Sequence, residues 1–200
     1  KSPLSEKSPT GYTNPYGHTK IIIEEIIKEN CNNKNNFKAI SLRYFNPIGA
    51  DKSGLLSDQP LGEPLNLMPL IANSISGNQL KIFGNDYPTH DGTCIRDYIH
   101  VIDLAYAHLL SLNYLDKIKY DVINIGLGRG ISVLDLIKKF ELANNVKVNY
   151  SFHNRRDGDV AESFANNSKA IKLLNWKPKY NYMDMCSDYW NAFIKKNQQN

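Results

Sequence analysis

The spacing of apolar residues along the chain changes repeatedly between a helical and a strand pattern. Apolar positions three and four residues apart predict helices over residues 19–29, 67–75, 102–112, 132–143, 168–174 and 183–194. Short apolar or alternating runs predict strands over residues 39–45, 80–83, 97–101, 121–125 and 146–152. Strands that alternate with helices in this way are typical of an α/β protein with a parallel sheet.

Two polar segments interrupt this pattern and predict loops. Residues 30–36 (NCNNKNN) are rich in asparagine, and the pair Asn46-Pro47 is expected to end the strand that precedes it. Residues 47–64 are rich in glycine, proline and aspartate, which indicates a functional loop or a crossing between domains.

The segment GLGRG (residues 126–130) lies between a predicted strand and a predicted helix, where a dinucleotide-binding loop would lie. That fingerprint needs a third glycine at position 131, which is Ile131, and an acid about 20 residues later, where Tyr150 stands. We therefore interpret GLGRG as a tight turn, and Ser132 as the N-cap of the helix that follows it.

Composition and charge argue against several classes of function. The chain has 42% hydrophobic and 10% aromatic residues, which suits a packed globular core. Its net charge is +4 and its lysines form no basic stripe, so we expect no nucleic acid partner. No apolar run approaches the roughly 18 residues that a membrane span needs. The polar N-terminal segment lacks the apolar core of a signal peptide.

The cysteines and histidines show no pattern of metal ligands. Cys31, Cys94 and Cys186 are far apart and have neither zinc spacing nor a disulfide framework, which favours a reducing, cytoplasmic location. The five histidines are equally scattered. We therefore expect no metal site.

The most informative local motif is YGHTK, residues 16–20. Tyr16 and Lys20 are four residues apart near the start of a predicted helix, so they share one face of it. A free tyrosine side chain has a pKa near 10 and is a weak base at neutral pH. A cation about 5 Å away stabilises a phenolate by roughly 3 kcal/mol at an effective dielectric constant of about 20. The pair is a candidate general base, although most such pairs only decorate a helix surface.

Longer motifs follow one another along most of the chain. They are SPTGYTNPYGHTK, LRYFNPIGAD, PLNLMPLI, KIFGNDYPTHDGTCIRDYIHVIDLA, INIGLGRGISVLDL and RRDGDVAESFANNSKA. In this order, they resemble the extended short-chain dehydrogenase/reductase family, and within it the nucleotide-sugar epimerases, over residues 12–190.

The resemblance implies the C-terminal part of a Rossmann-like, doubly wound parallel sheet and a smaller α/β substrate-binding lobe. Residues 1–50 and 100–128 would complete the NAD-binding domain, and residues 51–99 and 129–200 would form the lobe. The family's glycine loop, its adenosine-ribose acid and its catalytic Ser/Thr would precede residue 1. We therefore expect the 200-residue chain alone to be inactive.

The resemblance also implies a reaction, in which UDP-glucose and UDP-galactose interconvert through a transient 4-keto sugar with NAD as cofactor. Tyr16 would be the catalytic base and Lys20 its partner, which also bonds the nicotinamide ribose. Tyr44 would line the nicotinamide and the sugar. A homodimer is implied for the full-length protein.

Further positions are implied to contact the UDP-sugar. Phe45 and Asn46 would continue the sugar wall, and Ser163 would lie at the 2′ side of the sugar. A small residue there goes with tolerance of N-acetyl sugars. The segment over the pyrophosphate and uridine would be Leu65, Asn66 and Leu67, and the strand at the uracil would be Lys81, Ile82 and Phe83. The pyrophosphate would be held by Arg96 and Arg156, and the uridine ribose by Asp159.

Other interpretations of these residues stay open. Tyr44 and Phe45 also suit plain strand core, Arg96 also suits an ion pair with Asp97 or Asp103, and Asp159 suits a turn cap. Three positions depart from the family pattern, with Asp51 for histidine, Leu65 for asparagine and Cys94 for glycine. Related enzymes with the same Tyr–Lys pair dehydrate or decarboxylate nucleotide sugars, and a non-catalytic uridine-nucleotide module is the other alternative.

Overall fold

The structure is a computed structural model that describes residues 1–12, 14–34, 36–58, 60 and 62–198. The other positions, which include single residues of the two predicted loops and the last two residues of the chain, lie outside the described residues. The strands are β1 (Ala39–Tyr44), β2 (Asn46–Ile48), β3 (Leu80–Phe83), β4 (Ile95–Arg96), β5 (Tyr98–His100), β6 (Tyr120–Ile125), β7 (Ile131–Ser132), β8 (Tyr150–His153) and β9 (Glu162–Ser163). The helices are α1 (Pro15–Asn33), α2 (Leu67–Ile75), α3 (Val101–Leu115), α4 (Val133–Asn144), α5 (Ser168–Leu174) and α6 (Tyr182–Asn197).

Helices cover both faces of a parallel strand pair formed by β1 and β6. Ile40 and Leu42 of β1 pack into an apolar cluster with α3 and α5. Arg43 points to the opposite face, because side chains alternate along a strand. There its Nε donates to Glu24 Oε1 of α1 at 2.7 Å. This arrangement is the α/β, doubly wound type that the sequence predicts.

The remaining strands form small sheets that connect the first layer to the rest of the molecule. β2 pairs with β5 and β3 pairs with β8, both in parallel. β4 lies between β7, which is antiparallel to it, and β9, which is parallel to it. These pairings place Arg96 of β4 beside Ile131 on one side and beside Ser163 on the other.

The core is divided into two clusters of buried residues. One cluster lies between α2, α4 and α6 and includes Met68, Phe140 and Tyr189. The other lies beside β5 and β6 and includes Trp176, whose Nε1 donates to the Asp103 carbonyl at 2.9 Å. α5 contributes to this second cluster, although residues 129–200 fall in the range predicted for the substrate lobe. The division into two domains stays a prediction.

Most long elements lie where the sequence predicts them, and β1 ends at Tyr44, directly before Asn46-Pro47, as expected. Asn46 begins a separate strand, β2, and its N–H donates to the Asp97 carbonyl at 3.2 Å. Proline is tolerated in β2 because, among the described residues, this strand pairs only with β5. One edge of the strand therefore needs no N–H donor for a neighbouring strand. The strand predicted over 146–152 begins only at Tyr150.

A buried carboxylate holds the GLGRG turn. The Asp97 side chain accepts N–H bonds from Leu127 at 2.8 Å, from Gly128 at 3.1 Å and from Ala165 at 3.0 Å. Burial raises the pKa of Asp97 to about 6. A Cβ on Gly126 would lie 2.5 Å from Asp97 Oδ2, and Gly128 has a φ of +75°. The structure therefore agrees with the interpretation of GLGRG as a tight turn.

Asp97→Asn is expected to destabilise the protein by about 2–4 kcal/mol. An amide offers one acceptor oxygen and places N–H groups against backbone N–H groups, and each unsatisfied buried group costs about 1–3 kcal/mol. Urea denaturation at neutral pH measures the change. Asp116→Asn is the matched control, because the Asp116 side chain is 94% exposed and pairs only at the surface with Lys38. Equal midpoints for the two variants would contradict the structural role of Asp97.

Candidate functional site

The Tyr–Lys pair lies at the start of α1, whose first turn is fixed by local contacts. Asn14 caps the helix, and its Oδ1 accepts from the Gly17 N–H at 2.8 Å. Pro15 follows at the first helical position, where its missing N–H has no cost. Lys20 Nζ lies 5.0 Å from the centre of the Tyr16 ring, as the spacing of four residues predicts. The Tyr16 side chain is 70% exposed, so its hydroxyl is accessible.

A cleft of about 570 Å³ opens beside this pair, and we call it the α1 cleft. Lys20 lines it from the helix, Tyr44 and Phe45 line it from the end of β1, and Ser163 lines it from β9. Tyr44 is 51% exposed, which contradicts the alternative that it is plain strand core. The structure therefore brings Lys20, Tyr44, Phe45 and Ser163 to one cavity.

The other predicted substrate residues line a second cavity of about 210 Å³, which we call the nucleotide cleft. It lies between the start of β2, the start of α2, the strand β3, the strand β4 and the turn that precedes β9. The predicted residues that line it are Asn46, Leu65, Asn66, Leu67, Lys81, Ile82, Phe83, Arg96, Arg156 and Asp159. Since these positions are spread over more than 100 residues of sequence, their convergence is a product of the fold.

Two guanidinium groups face this cleft. Arg96 pairs with Asp159 at 3.2 Å, so the alternative pairing with Asp97 or Asp103 is wrong. Arg96 also donates to the Val160 carbonyl at 2.7 Å. The Arg156 guanidinium lies 3.9 Å from the centre of the Phe83 ring. One cation is therefore neutralised within the cleft, and the other is stacked on an aromatic face with its N–H edge free for an anion.

Each of the two asparagines of the cleft already donates a hydrogen bond from its side-chain nitrogen. Asn46 Nδ2 donates to the Asp97 carbonyl at 2.7 Å, and Asn66 Nδ2 donates to Asp58 Oδ2 at 2.8 Å. Each amide keeps an oxygen as an acceptor for ligand hydroxyl or N–H groups. Leu65 is 85% exposed and offers only an apolar rim to the cleft.

Sequence reasoning missed several residues that line the nucleotide cleft. Cys94, just before β4, and Tyr98, at the start of β5, flank Arg96, and Leu70 and Val133 line the cavity from α2 and α4. Cys94 and Tyr98 lie within the motif GTCIRDY, which the resemblance includes. Side chains alternate along an extended strand, so residues two positions from Arg96 are expected to lie on its side of the strand. That spacing is the signal in the sequence that points to Cys94 and Tyr98.

A group of potential metal ligands exists among the described residues, at His90, Asp91 and Asp135. Its carboxylates are engaged by other partners. Asp91 accepts from the Thr93 N–H at 2.9 Å, and Asp135 pairs with Lys138 at 3.0 Å and with His90 at 2.7 Å. The group is therefore explained as a hydrogen-bonded network at the N-terminus of α4.

The arrangement defines a class of protein. A parallel α/β layer with a Tyr-x-x-x-Lys pair on a helix, next to a cleft with two guanidinium groups, is typical of dehydrogenase-like enzymes that act on phosphorylated ligands. No helix in the described part of the chain is both long and apolar enough to cross a bilayer. The chain belongs to the NAD dependent epimerase/dehydratase family, whose model matches residues 1–126.

Individual relatives agree with this assignment. The chain is 47% identical over 194 residues to a UDP-glucose 4-epimerase of Drosophila melanogaster, covering 94% of this chain and 55% of the relative. It is 42% identical, with a TM-score of 0.96, to a UDP-glucose-4-epimerase of Stenotrophomonas maltophila with bound NAD and formylated UDP-arabinopyranose, covering 100% of this chain and 60% of that one. A UDP-Glc/GlcNAc 4-epimerase of Campylobacter jejuni is 36% identical with a TM-score of 0.77, over 96% of this chain and 59% of that one. The chain thus spans little more than half the length of these relatives.

Proposed function

We propose that the full-length protein interconverts UDP-glucose and UDP-galactose by NAD-dependent 4-epimerisation. The observation that carries this proposal is the convergence of the predicted uridine, pyrophosphate and sugar residues on two cavities. These cavities are joined along the chain by Tyr44, Phe45 and Asn46, of which the first two line the α1 cleft and the third lines the nucleotide cleft. A ligand with a nucleotide at one end and a sugar at the other suits that arrangement. The relatives of the same family carry names that agree with it.

In this mechanism, Tyr16 and the residues of the α1 cleft handle the sugar. Tyr16, whose ring centre lies 5.0 Å from Lys20 Nζ, takes the proton of the sugar 4′-hydroxyl as a phenolate, and the Lys20 ammonium stabilises the negative charge of the phenolate. Tyr44 and Phe45 form a wall that limits how the sugar can turn. Lys20, which lines the cleft, suits the nicotinamide ribose of NAD. When bound, NAD supplies the acceptance and return of a hydride.

The nucleotide cleft holds the other end of the substrate. Arg156, stacked on Phe83, and Arg96 supply charge-assisted bonds to the pyrophosphate oxygens. Asp159 accepts from the ribose hydroxyls while it orients Arg96. Phe83 and Ile82 offer an apolar surface to the uracil. Tight binding of the nucleotide lets the sugar rotate without leaving the protein.

Arg96→Ala and Arg156→Ala are each expected to weaken UDP binding by roughly 10- to 100-fold, because charge-assisted bonds are worth about 1.5–3 kcal/mol. Isothermal titration calorimetry with UDP measures the change. Arg155→Ala is the control, because Arg155 is the neighbour of Arg156 but pairs with Asp86 at 2.8 Å outside the nucleotide cleft. Unchanged UDP affinity in either cleft variant would remove that arginine from the site.

Product analysis tests the reaction itself. Purified full-length enzyme with UDP-galactose is expected to form UDP-glucose with no change of mass, as seen by chromatography and mass spectrometry. Loss of water would identify a dehydratase, and loss of carbon dioxide from a uronic acid substrate would identify a decarboxylase. Binding of UDP without any product would identify a non-catalytic nucleotide module.

We also propose that the enzyme accepts UDP-GlcNAc and UDP-GalNAc. Ser163 lies in the α1 cleft, in the strand β9, and not in a solvated turn. Its side chain is small, so an acetamido group on the sugar meets little obstruction from this position. The similarity to a structure named as a UDP-Glc/GlcNAc 4-epimerase, with a TM-score of 0.77, supports this proposal.

Three further parts of the proposal concern the protein as a whole. The NAD-binding domain is formed in part by residues 1–50 and 100–128, and the substrate lobe by residues 51–99 and 129–200, with α5 packed against the first. The protein forms a homodimer, which the exposed isoleucines of α1 at positions 22, 23 and 26 support as an apolar contact surface. It acts in a reducing, cytoplasmic location, since its three cysteines are free.

A further inference from the structure

The α1 cleft contains an ion pair that the proposed reaction does not use. Arg43 of β1 and Glu24 of α1 both line the cleft. Arg43 Nε donates to Glu24 Oε1 at 2.7 Å, and Arg43 Nη2 donates to Glu24 Oε2 at 2.5 Å. The two side chains are only 28% and 25% exposed. A two-pronged guanidinium–carboxylate pair is among the strong charge-assisted contacts, and here it binds both carboxylate oxygens.

The position of Glu24 on its helix gives this pair a consequence for Lys20. The two residues are four positions apart on α1, so their side chains share one face and can reach each other. Opposite charges at this spacing attract each other. Lys20 nevertheless makes no ion pair with any described residue, and its Nζ lies 5.0 Å from the centre of the Tyr16 ring. Arg43 therefore holds a carboxylate that would otherwise draw the ammonium away from Tyr16.

We propose that Arg43 is a positioning residue that keeps Lys20 beside Tyr16 by binding Glu24, an inference that rests on the function proposed above. With Arg43 in place, the Lys20 ammonium is available to the Tyr16 phenolate. Without it, Lys20 pairs with Glu24 one turn further along α1, and the phenolate loses the cation that stabilises it. Arg43 thus acts on the proton transfer through two other side chains.

Other titratable groups lie around the ion pair, and the anionic one among them is bound elsewhere. The charged or titratable side chains that line the α1 cleft in the described part of the chain are Lys20, Glu24, Arg43 and Tyr44. Next to the cleft, the Glu6 carboxylate accepts from a backbone N–H of β6 at 2.9 Å. The hydroxyl groups of Tyr120 and Ser41 share a hydrogen bond at 3.2 Å. On α1 itself, His18 stacks on Tyr12. The carboxylate of the ion pair is therefore the acid that competes for the lysine.

The experiment measures the ionisation of Tyr16 directly in the full-length protein. Tyrosinate absorbance in the near ultraviolet is recorded against pH at low ionic strength, where screening is weak, and the curve of the matching Tyr16→Phe protein is subtracted. Arg43→Met removes the cation and keeps a long side chain. In this variant, the pH at which Tyr16 is half ionised is expected to rise by roughly half a unit or more. At neutral pH, kcat with UDP-galactose should fall roughly threefold or more, because less phenolate is present.

A second substitution separates this role from a purely structural one. Arg43→Met/Glu24→Gln has no carboxylate at position 24 to compete for Lys20. The ionisation of Tyr16 and kcat should therefore both return toward the values of the unsubstituted protein. Arg43→Met/Glu25→Gln is the matched control, because Glu25 is the exposed neighbour of Glu24 on α1. Removal of that carboxylate should restore neither quantity.

Two results overturn the proposal. One is an unchanged ionisation of Tyr16 in Arg43→Met. The other is a defect that Glu24→Gln alone reproduces and the double substitution does not relieve, since the ion pair then only holds α1 on β1.

Two further outcomes are decided by the same measurements. If Arg43→Met does not fold, Arg43→Lys replaces it, because one ammonium cannot hold both carboxylate oxygens as a guanidinium does. A smaller rise in the same direction, relieved by Glu24→Gln, is then expected, and no rise overturns the proposal. If the unsubstituted protein does not convert UDP-galactose while the ionisation of Tyr16 shifts as expected, the proposed function fails and the effect of Arg43 on Lys20 stands.

Discussion

Replacing Tyr16 with phenylalanine in the full-length enzyme is expected to lower kcat by about 10²- to 10⁴-fold, the range that a positioned general base contributes. The affinity for UDP should not change, because the nucleotide cleft is formed by other residues. The lost hydroxyl makes few contacts with the ground state, so KM should change much less than kcat. Steady-state kinetics with UDP-galactose, together with calorimetry for UDP, measures the three quantities.

Tyr12→Phe is the matched control for this variant. Tyr12 lies four residues before Tyr16, is also exposed at 56%, and stacks on His18 with ring centres 4.1 Å apart. Unlike Tyr16, it carries no cation at its ring among the described residues, so kcat should stay near that of the unsubstituted enzyme. If Tyr16→Phe instead raises KM and leaves kcat intact, Tyr16 only binds the substrate and the assignment of the base is wrong.

The elements whose predicted bounds match the structure are short ones with clear residues at each end. α2, α5 and β3 have the predicted bounds, because each is delimited by glycine, proline or asparagine and has apolar residues on one face. The parallel pairing of β1 with β6 follows from the alternation of strands and helices. Local spacing also predicted the contact of Tyr16 with Lys20, since both are on one helix.

The parts that the sequence does not predict depend on contacts between distant residues. β4, β7 and β9 are two residues long, so they have no periodicity to detect, and they exist because they pair with one another. The partner of Arg96 is Asp159, 63 positions later, rather than the nearby acids. Asp97 is buried although charged residues mostly lie at the surface, and its carboxylate accepts from three backbone N–H groups.

The candidate site is likewise predicted in part by the sequence and in part only by the fold. The resemblance named residues along the chain, but only the fold assigns them to two different cavities. Ser163 is the informative case, because it is four residues from Asp159 in sequence and yet lines the α1 cleft with Lys20 and Tyr44, while Asp159 lines the nucleotide cleft. Asp159 lies in the turn before β9, whereas Ser163 lies in β9 and is paired with Arg96 of β4.

Ser163→Tyr is expected to remove the reaction with N-acetyl sugars and to leave the reaction with unmodified hexoses largely intact. The backbone of Ser163 is held in β9, where its carbonyl accepts from the Asp97 N–H at 3.0 Å, so the substitution changes the side chain without moving the strand. A tyrosine ring then occupies the space that an acetamido group needs. Overpacking a filled site costs about 1–3 kcal/mol, so kcat/KM for UDP-GlcNAc should fall by roughly 10- to 100-fold or below detection.

Ser163→Ala separates the effect of space from that of the hydroxyl. It keeps the cavity open, so it should retain activity with UDP-GlcNAc and lose at most the hydrogen bond that the serine hydroxyl can donate to the acetamido oxygen, about 0.5–1.5 kcal/mol. Coupled assays with UDP-GlcNAc and UDP-galactose on the same enzyme preparations give the ratio of the two activities. If the unsubstituted full-length enzyme turns over UDP-galactose but fails to interconvert UDP-GlcNAc and UDP-GalNAc, another side chain fills the space beside Ser163 and the proposed second activity is wrong.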